Sequence, residues 1–289
     1  MRIVILGSNG MLGQSLKRIF DGCGRCDVVT FARSDADVCM DFADRERLCL
    51  ELKQHKPDVV INAAAIIDLR FCEQYAEKAH EINARMPGIV ADVCSSLGAY
   101  FIHISTDHYY ANDGKKLHSE VAPVVLLNEY AKSKYAGEKN TLLNDAALVV
   151  RTNIVGFRNN VSRPTFLEWA VAKIKQKKQM ILFDDFFTSP LFVDELSKIL
   201  VDILELKPHG IFNIASATVA SKEEFVLALS RSLFASVPDY DVAHVNDTLD
   251  IRRATSLGLD VTKVETLLGY VMPALDEVIY DIKKAYKGV

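Results

Sequence analysis

Tyr130-Ala-Lys-Ser-Lys134 sets a phenol and an ammonium four residues apart at the start of a helical run, 129–143. Positions i and i+4 share one helix face. A free tyrosine has a pKa of about 10, too high for ready proton exchange near neutral pH. A neighbouring ammonium favours the phenolate and brings the group into range for general acid work. Tyr-x-x-x-Lys is a common chance pairing, so its place in the chain carries the argument. It follows the apolar run 99–104, which ends in Ser105-Thr106-Asp107. Thr106 would add a hydroxyl able to hydrogen-bond a carbonyl oxygen as charge develops there.

A second constellation closes the first apolar run, 2–6. It reads Gly7-Ser8-Asn9-Gly10-Met11-Leu12-Gly13, and an amphipathic helix follows. Glycines at a strand-to-helix junction permit a tight turn and close backbone approach. The helix N-terminus then offers free N–H groups and a positive dipole end to a pyrophosphate. The spacing is Gly-x-x-Gly-x-x-Gly, so the strand–turn–helix context carries the expectation of a dinucleotide.

The end of the second apolar run, 28–32, bears on which dinucleotide. An acidic side chain there bonds a ribose 2′-hydroxyl, whereas an arginine accommodates a 2′-phosphate. Arg33 supplies a guanidinium fork and Ser34 a hydroxyl, which favours NADPH. Asp35 keeps NADH open. A bound oxidised nicotinamide would lower the Tyr130 pKa further, and Lys134 can bond its ribose.

These residues need a scaffold that gathers the ends of several strands. The apolar runs 2–6, 28–32, 58–62, 99–104 and 147–152 alternate with helix-length amphipathic segments. That rhythm predicts βαβ units: an α/β fold with a doubly wound, Rossmann-type parallel sheet. In such sheets ligands collect at the carboxyl ends of the strands. After about residue 155 the rhythm changes. Helices are expected at 163–177, 192–206, 221–235, 261–268 and 273–286, with short strands at 178–183 and 211–215 and an irregular stretch at 236–258. The expected division is a cofactor domain over 1–155, rejoined by about 183–215, and a smaller mixed α/β substrate domain over 156–289.

Composition narrows the function classes. Of 289 residues, 49% are hydrophobic and 25% charged, and the formal net charge is −4, as in ordinary globular proteins. Without a polybasic block, neither nucleic acid nor an anionic membrane is an expected partner. The longest charge-free stretches, 3–16, 93–106 and 208–221, fall short of the ~20 apolar residues a spanning helix needs. Met1-Arg2 runs directly into Ile3–Leu6, which reads as a buried strand and not a leader, so a cytoplasmic location is expected. Six cysteines lie in the first third, and Cys23-Gly-Arg-Cys26 has redox spacing. With no second pair or nearby histidine, reduced structural thiols and no metal are expected.

Gly7–Gly13, Asn62-Ala63-Ala64-Ala65, Ser105-Thr106-Asp107 and Tyr130–Lys134 together resemble the extended short-chain dehydrogenase/reductases, more narrowly the dTDP-4-dehydrorhamnose reductase group. Asp41-Phe42, Tyr130–Glu138, Arg151-Thr152, Ser189–Asp194 and Gly210–Asn213 extend the resemblance over nearly the whole chain. It implies NADPH-dependent reduction of a 4-keto nucleotide sugar. Tyr130 would be the proton donor, Lys134 would lower its pKa, and Thr106 would polarise the carbonyl. Asp41 and Phe42 would flank the adenine, and Ala63, Ala64 and Ala65 would let the cofactor approach. Asn83 matches a position that often supports the active-site backbone, with capping or a core polar role equally open. A homodimer follows by analogy.

The departures concern substrate. His108 stands where the family usually has an aromatic and is a candidate substrate contact or proton donor, next to Asp107. No Glu follows Asp107, which argues against a 4,6-dehydratase. Asn153 opens a segment that would face the sugar. Arg163 and Arg252 are candidates for a diphosphate, with surface or interdomain salt bridges equally open. An epimerase on the same scaffold, or a non-catalytic NADP-binding regulatory subunit, remains as an alternative.

Overall fold

Five parallel strand pairings form the centre of the computed structural model, which describes residues 1–110 and 112–286. The seven-stranded sheet runs Gly210–Asn213, Ala147–Arg151, Tyr100–Ile104, Val59–Asn62, Arg2–Leu6, Asp27–Ala32, Val38–Cys39. Ile3 registers with Val28 on one side and Val59 on the other. The three strands Val59–Asn62, Tyr100–Ile104 and Ala147–Arg151 are buried at every position. A parallel sheet covered on both faces needs such apolar strands, and this is why they were legible as uninterrupted runs. The sheet is flanked by helices, as the doubly wound α/β expectation required. Strand order reverses beside Arg2–Leu6, the switch point where open α/β sheets bind ligands.

The chain divides into two compact units. The first comprises Met1–Thr106, Asn128–Arg151 and Ser197–Phe212, and the second Asp107–Leu127, Thr152–Leu196 and Asn213–Val289. In the second, a four-stranded sheet runs Ala220–Ser221, Phe187–Thr188, Ser256–Leu259, Leu117–His118. Helices Phe166–Lys175 and Lys222–Phe234 each begin with a capping box, Thr165 with Glu168 and Ser221 with Glu224. These reciprocal bonds satisfy N–H groups that a helix start otherwise leaves unpaired.

The stretch 236–258, expected to be irregular, contains a strand at Tyr240–Ala243 and the start of another at Ser256–Leu259. The first pairs with Met180–Phe183 and is largely exposed, so it carries no apolar run. The second includes a serine and a glycine, which dilute the strand signal although all four positions are buried.

An ion pair stands inside the first unit. Arg151 is 2% and Glu138 1% exposed. Arg151 Nε donates to Oε1 at 3.0 Å and Nη2 to Oε2 at 2.7 Å, while Ser105 Oγ donates to Oε1 at 2.7 Å. Removing one partner strands the other charge away from water. Glu138→Gln is expected to cost about 3–5 kcal/mol. Thermal melting should show a fall of roughly 10 °C, and a change below about 2 °C would refute this account.

Candidate active site

Gly7 turns the chain out of the first strand with φ +85°, and a side chain there would meet the Ala64 backbone at 2.8 Å. A Cβ on Gly13 would collide with the Gly7 carbonyl and Ser8 Cα. The turn is thus drawn close against Ala63 and Ala64 at the end of the neighbouring strand. Gly10 caps helix Met11–Gly22 without a side-chain hydrogen bond, leaving the helix start open to an anion. Ser8 and Leu12 are buried, Met11 is half-buried and Asn9 is exposed. Asn9 Nδ2 donates to the Ser34 carbonyl, tying the turn to the end of the second strand, where Arg33 and Ser34 are exposed. Asp41 is exposed and accepts from Ala43 N at 3.0 Å, whereas Phe42 is buried in the core.

Helix Glu129–Thr141 starts at Asn128, whose side chain accepts from Ala131 N at 2.9 Å. The cap places Tyr130 in the first turn and Lys134 one turn on, both buried. Lys134 Nζ donates to the Ile104 carbonyl at 2.8 Å, two residues before buried Thr106. Burial pushes the Lys134 pKa down to about 8, against the opposing pull of Glu138. Asn83 lies in a π-helical turn, Glu81–Arg85. Its Oδ1 accepts from Ile66 N at 2.8 Å, and its Nδ2 donates to the Ile66 carbonyl at 2.8 Å and to Ser133 Oγ at 3.1 Å. It therefore fixes the backbone just past the three alanines.

The second unit holds its own polar group. Asn153 Nδ2 donates to Asp107 Oδ2 at 2.7 Å, with Asp107 1% exposed. His108 Nε2 lies 3.9 Å from Asp107 Oδ1, and its ring meets Phe186 edge-on. Burial, then Arg253 and Lys222, push the His108 pKa down to about 3. Lys222 Nζ lies 3.4 Å from Thr188 Oγ1 and over the rings of Phe166 and Phe186, at 4.9 and 5.6 Å. Burial lowers its pKa to about 8, opposed by Asp107. Arg163 and Arg252 are exposed.

Lys222 and Arg253, whose charges act on His108, were not among the residues singled out from sequence. A lysine opening a helix gives no signal of its own. His103 also went unnoticed, because one histidine within an apolar strand looks like a core residue. All six cysteines are free. Among the described residues, Asp184, Asp185 and His244 bring ligand atoms within 4.8 Å of one another, none of them buried.

The RmlD substrate binding domain family matches residues 1–287. The chain belongs to that family. As the motifs implied, it is a dTDP-4-dehydrorhamnose reductase-like oxidoreductase of the nucleotide-sugar reductases. A probable low-salt glycan biosynthesis reductase of Haloferax volcanii is 27% identical over 99% of this chain and 98% of its own. The dTDP-4-dehydrorhamnose reductase of Escherichia coli is 28% identical over 82% of this chain and 80% of its own. Among solved structures, the Bacillus anthracis dTDP-4-dehydrorhamnose reductase in complex with NADP superposes with a TM-score of 0.89, at 21% identity over 99% of each chain. The Bordetella bronchiseptica enzyme WbmG in complex with NAD gives 0.81, at 22% identity over 99% of this chain and 93% of that one. Among the described residues no helix is long and apolar enough to cross a membrane.

His108 has a pH consequence. Its folded pKa lies below the unfolded value of about 6.5, so the unfolded chain binds the extra proton. Stability is therefore unaffected above about pH 6.5 and falls as pH drops from there towards 3. The slope contributed is at most about 1.4 kcal/mol per pH unit. Urea melts of His108→Phe should lose this part of the acid slope, and an unchanged slope would refute the assignment.

Proposed function

We propose that this family member reduces the keto group of a 4-keto nucleotide sugar with NADPH, with Tyr130 as proton donor. The observation that carries the reading is the placement of Tyr130 and Lys134. They share the buried face of one helix, and Lys134 is bonded to the end of the strand that leads into Thr106. The relatives named as reductases support the reaction class, and the NADP-bound neighbour supports the cofactor class.

The glycine turn fits a dinucleotide, because the backbone closes where side chains would stand and the helix start has no side-chain cap. Gly7 to Gly13 would hold the pyrophosphate. Arg33 and Ser34 would hold the 2′-phosphate, and Asp41 and Phe42 would border the adenine. Ala63 to Ala65 would lie along the cofactor. When bound, the cofactor supplies the hydride. Thr106 hydrogen-bonds the carbonyl oxygen, and Tyr130 gives its proton to that oxygen as negative charge develops. Ammonium at Lys134 lowers the cost of leaving tyrosinate behind. On this reading the first unit binds the cofactor. The second binds the sugar nucleotide through Asp107, His108 and Asn153, with Arg163 and Arg252 offered to the diphosphate. Work in the cytoplasm, as a homodimer, belongs to the same proposal.

The test follows NADPH absorbance on addition of 4-keto nucleotide sugars. Stoichiometric NADPH consumption is expected, and turnover without net consumption would refute the reductase. Tyr130→Phe should lower kcat by about 10²–10⁴ with KM and melting temperature little changed. A wild-type rate in that variant would overturn the proton-donor assignment. Arg33→Glu should raise the NADPH KM about 10- to 100-fold and leave that of NADH nearly unchanged. An unaltered preference would reject the 2′-phosphate role.

A further inference from the structure

His103 is fully buried on strand Tyr100–Ile104 and lies between two polar side chains. Its Nδ1 is 3.1 Å from Asn62 Nδ2, and its Nε2 is 3.4 Å from Lys134 Nζ. The donors and acceptors here can be counted. Ala64 N is a backbone donor aimed at the Asn62 side chain at 3.1 Å, so the amide must turn its oxygen that way. The amide nitrogen then faces His103 and donates to Nδ1. A neutral imidazole has one acceptor and one donor nitrogen. With Nδ1 accepting, the ring proton sits on Nε2 and points at Lys134.

An ammonium has only donors, so it gains nothing from that N–H. An amine has a lone pair that accepts it, while still donating to the Ile104 carbonyl at 2.8 Å. We propose that Asn62 and His103 are a buried positioning pair that fixes an Nε2–H on Lys134 and so makes its amine form accessible near neutral pH. The 3.4 Å separation is long enough to leave the ammonium accessible as well.

The ring itself cannot relieve the conflict by charging. Burial and the neighbouring Lys134 hold its pKa well below the ordinary histidine value. The other titratable groups around the amine are few among the described residues. Tyr130 and Glu138 share its helix face, and Glu138 is bound by Arg151 from the strand Ala147–Arg151. The Nε2–H tautomer is set by these protein bonds whatever the substrate is. Its consequence for turnover rests on the role of Lys134 proposed above: the pair sets the pH at which the charge beside Tyr130 disappears.

Nitrogen-15 correlation spectra of the histidine rings in the full chain test the tautomer, with the His103 signal assigned by its loss in His103→Phe. An Nε2–H tautomer, still neutral well below the ordinary histidine range, is expected, and an Nδ1–H tautomer overturns the proposal. Lysine side-chain NMR, with Lys134 assigned by its loss in Lys134→Met, gives the second readout. Lys134 should titrate near pH 8 in the native chain. In His103→Phe, which has no ring N–H, and in His103→Gln, whose oxygen can accept from the ammonium, the midpoint should rise by about one pH unit, a tenfold change in acidity. The alkaline limb of kcat/KM for NADPH oxidation should move by the same amount. An unchanged Lys134 midpoint in whichever variant melts like the native chain overturns the proposal. If no sugar supports turnover, the functional reading fails while the tautomer and the titration still decide this one.

Discussion

The ion pair between Arg151 and Glu138 holds the candidate chemistry in place. Two ions withdrawn from water are tolerated only when their hydrogen bonds are nearly complete. Here the guanidinium fork grips the carboxylate, and Ser105 supplies a further donor. Tyr130, Lys134 and Glu138 stand at four-residue intervals on one helix. Fixing Glu138 against the sheet therefore fixes the rotation of the whole face. A helix free to roll by a small angle would carry the phenol and the amine away from the strand end, because the side chains amplify the rotation. Ser105 sits next to Thr106, so the same contact steadies the end of the strand as well.

The sheet was largely legible in the sequence because its physics is repetitive. Strands buried on both faces must be predominantly apolar, and the glycine turn follows from the close approach of backbones that the first βα junction requires. The expected runs 2–6, 28–32, 58–62, 99–104 and 147–152 each meet an observed strand within a residue or so. The second unit was less legible. Its strands are mostly two to four residues long, too short for periodicity to rise above local composition. The site divides the same way. Tyr130, Lys134 and Thr106 were legible as candidates because their types fall just after an apolar strand and at a helix start. His103, Lys222 and Arg253 matter through neighbours far away in the chain, and such neighbours leave no trace in local pattern.

Lys134 in the first unit is buried and Lys222 in the second is half-buried, and for both desolvation brings the pKa to about 8. Their surroundings differ. Lys134 has a carbonyl, an imidazole and a carboxylate one turn away. Lys222 has a hydroxyl and two aromatic faces, whose electron-rich surfaces favour the charged form. Arg163 and Arg252, by contrast, lie at exposed positions.

The strand Gly210–Asn213 completes the sheet beside Ala147–Arg151, although the intervening residues belong mostly to the other unit. During translation this ordering has a cost. The strand that carries Arg151 emerges from the ribosome with one edge unpaired, and it keeps that edge open until the strand Gly210–Asn213 has emerged as well. An unpaired edge invites pairing with another chain, and distant parallel pairings form slowly. That open edge is a point at which the nascent protein is exposed to misassembly until the last strand docks.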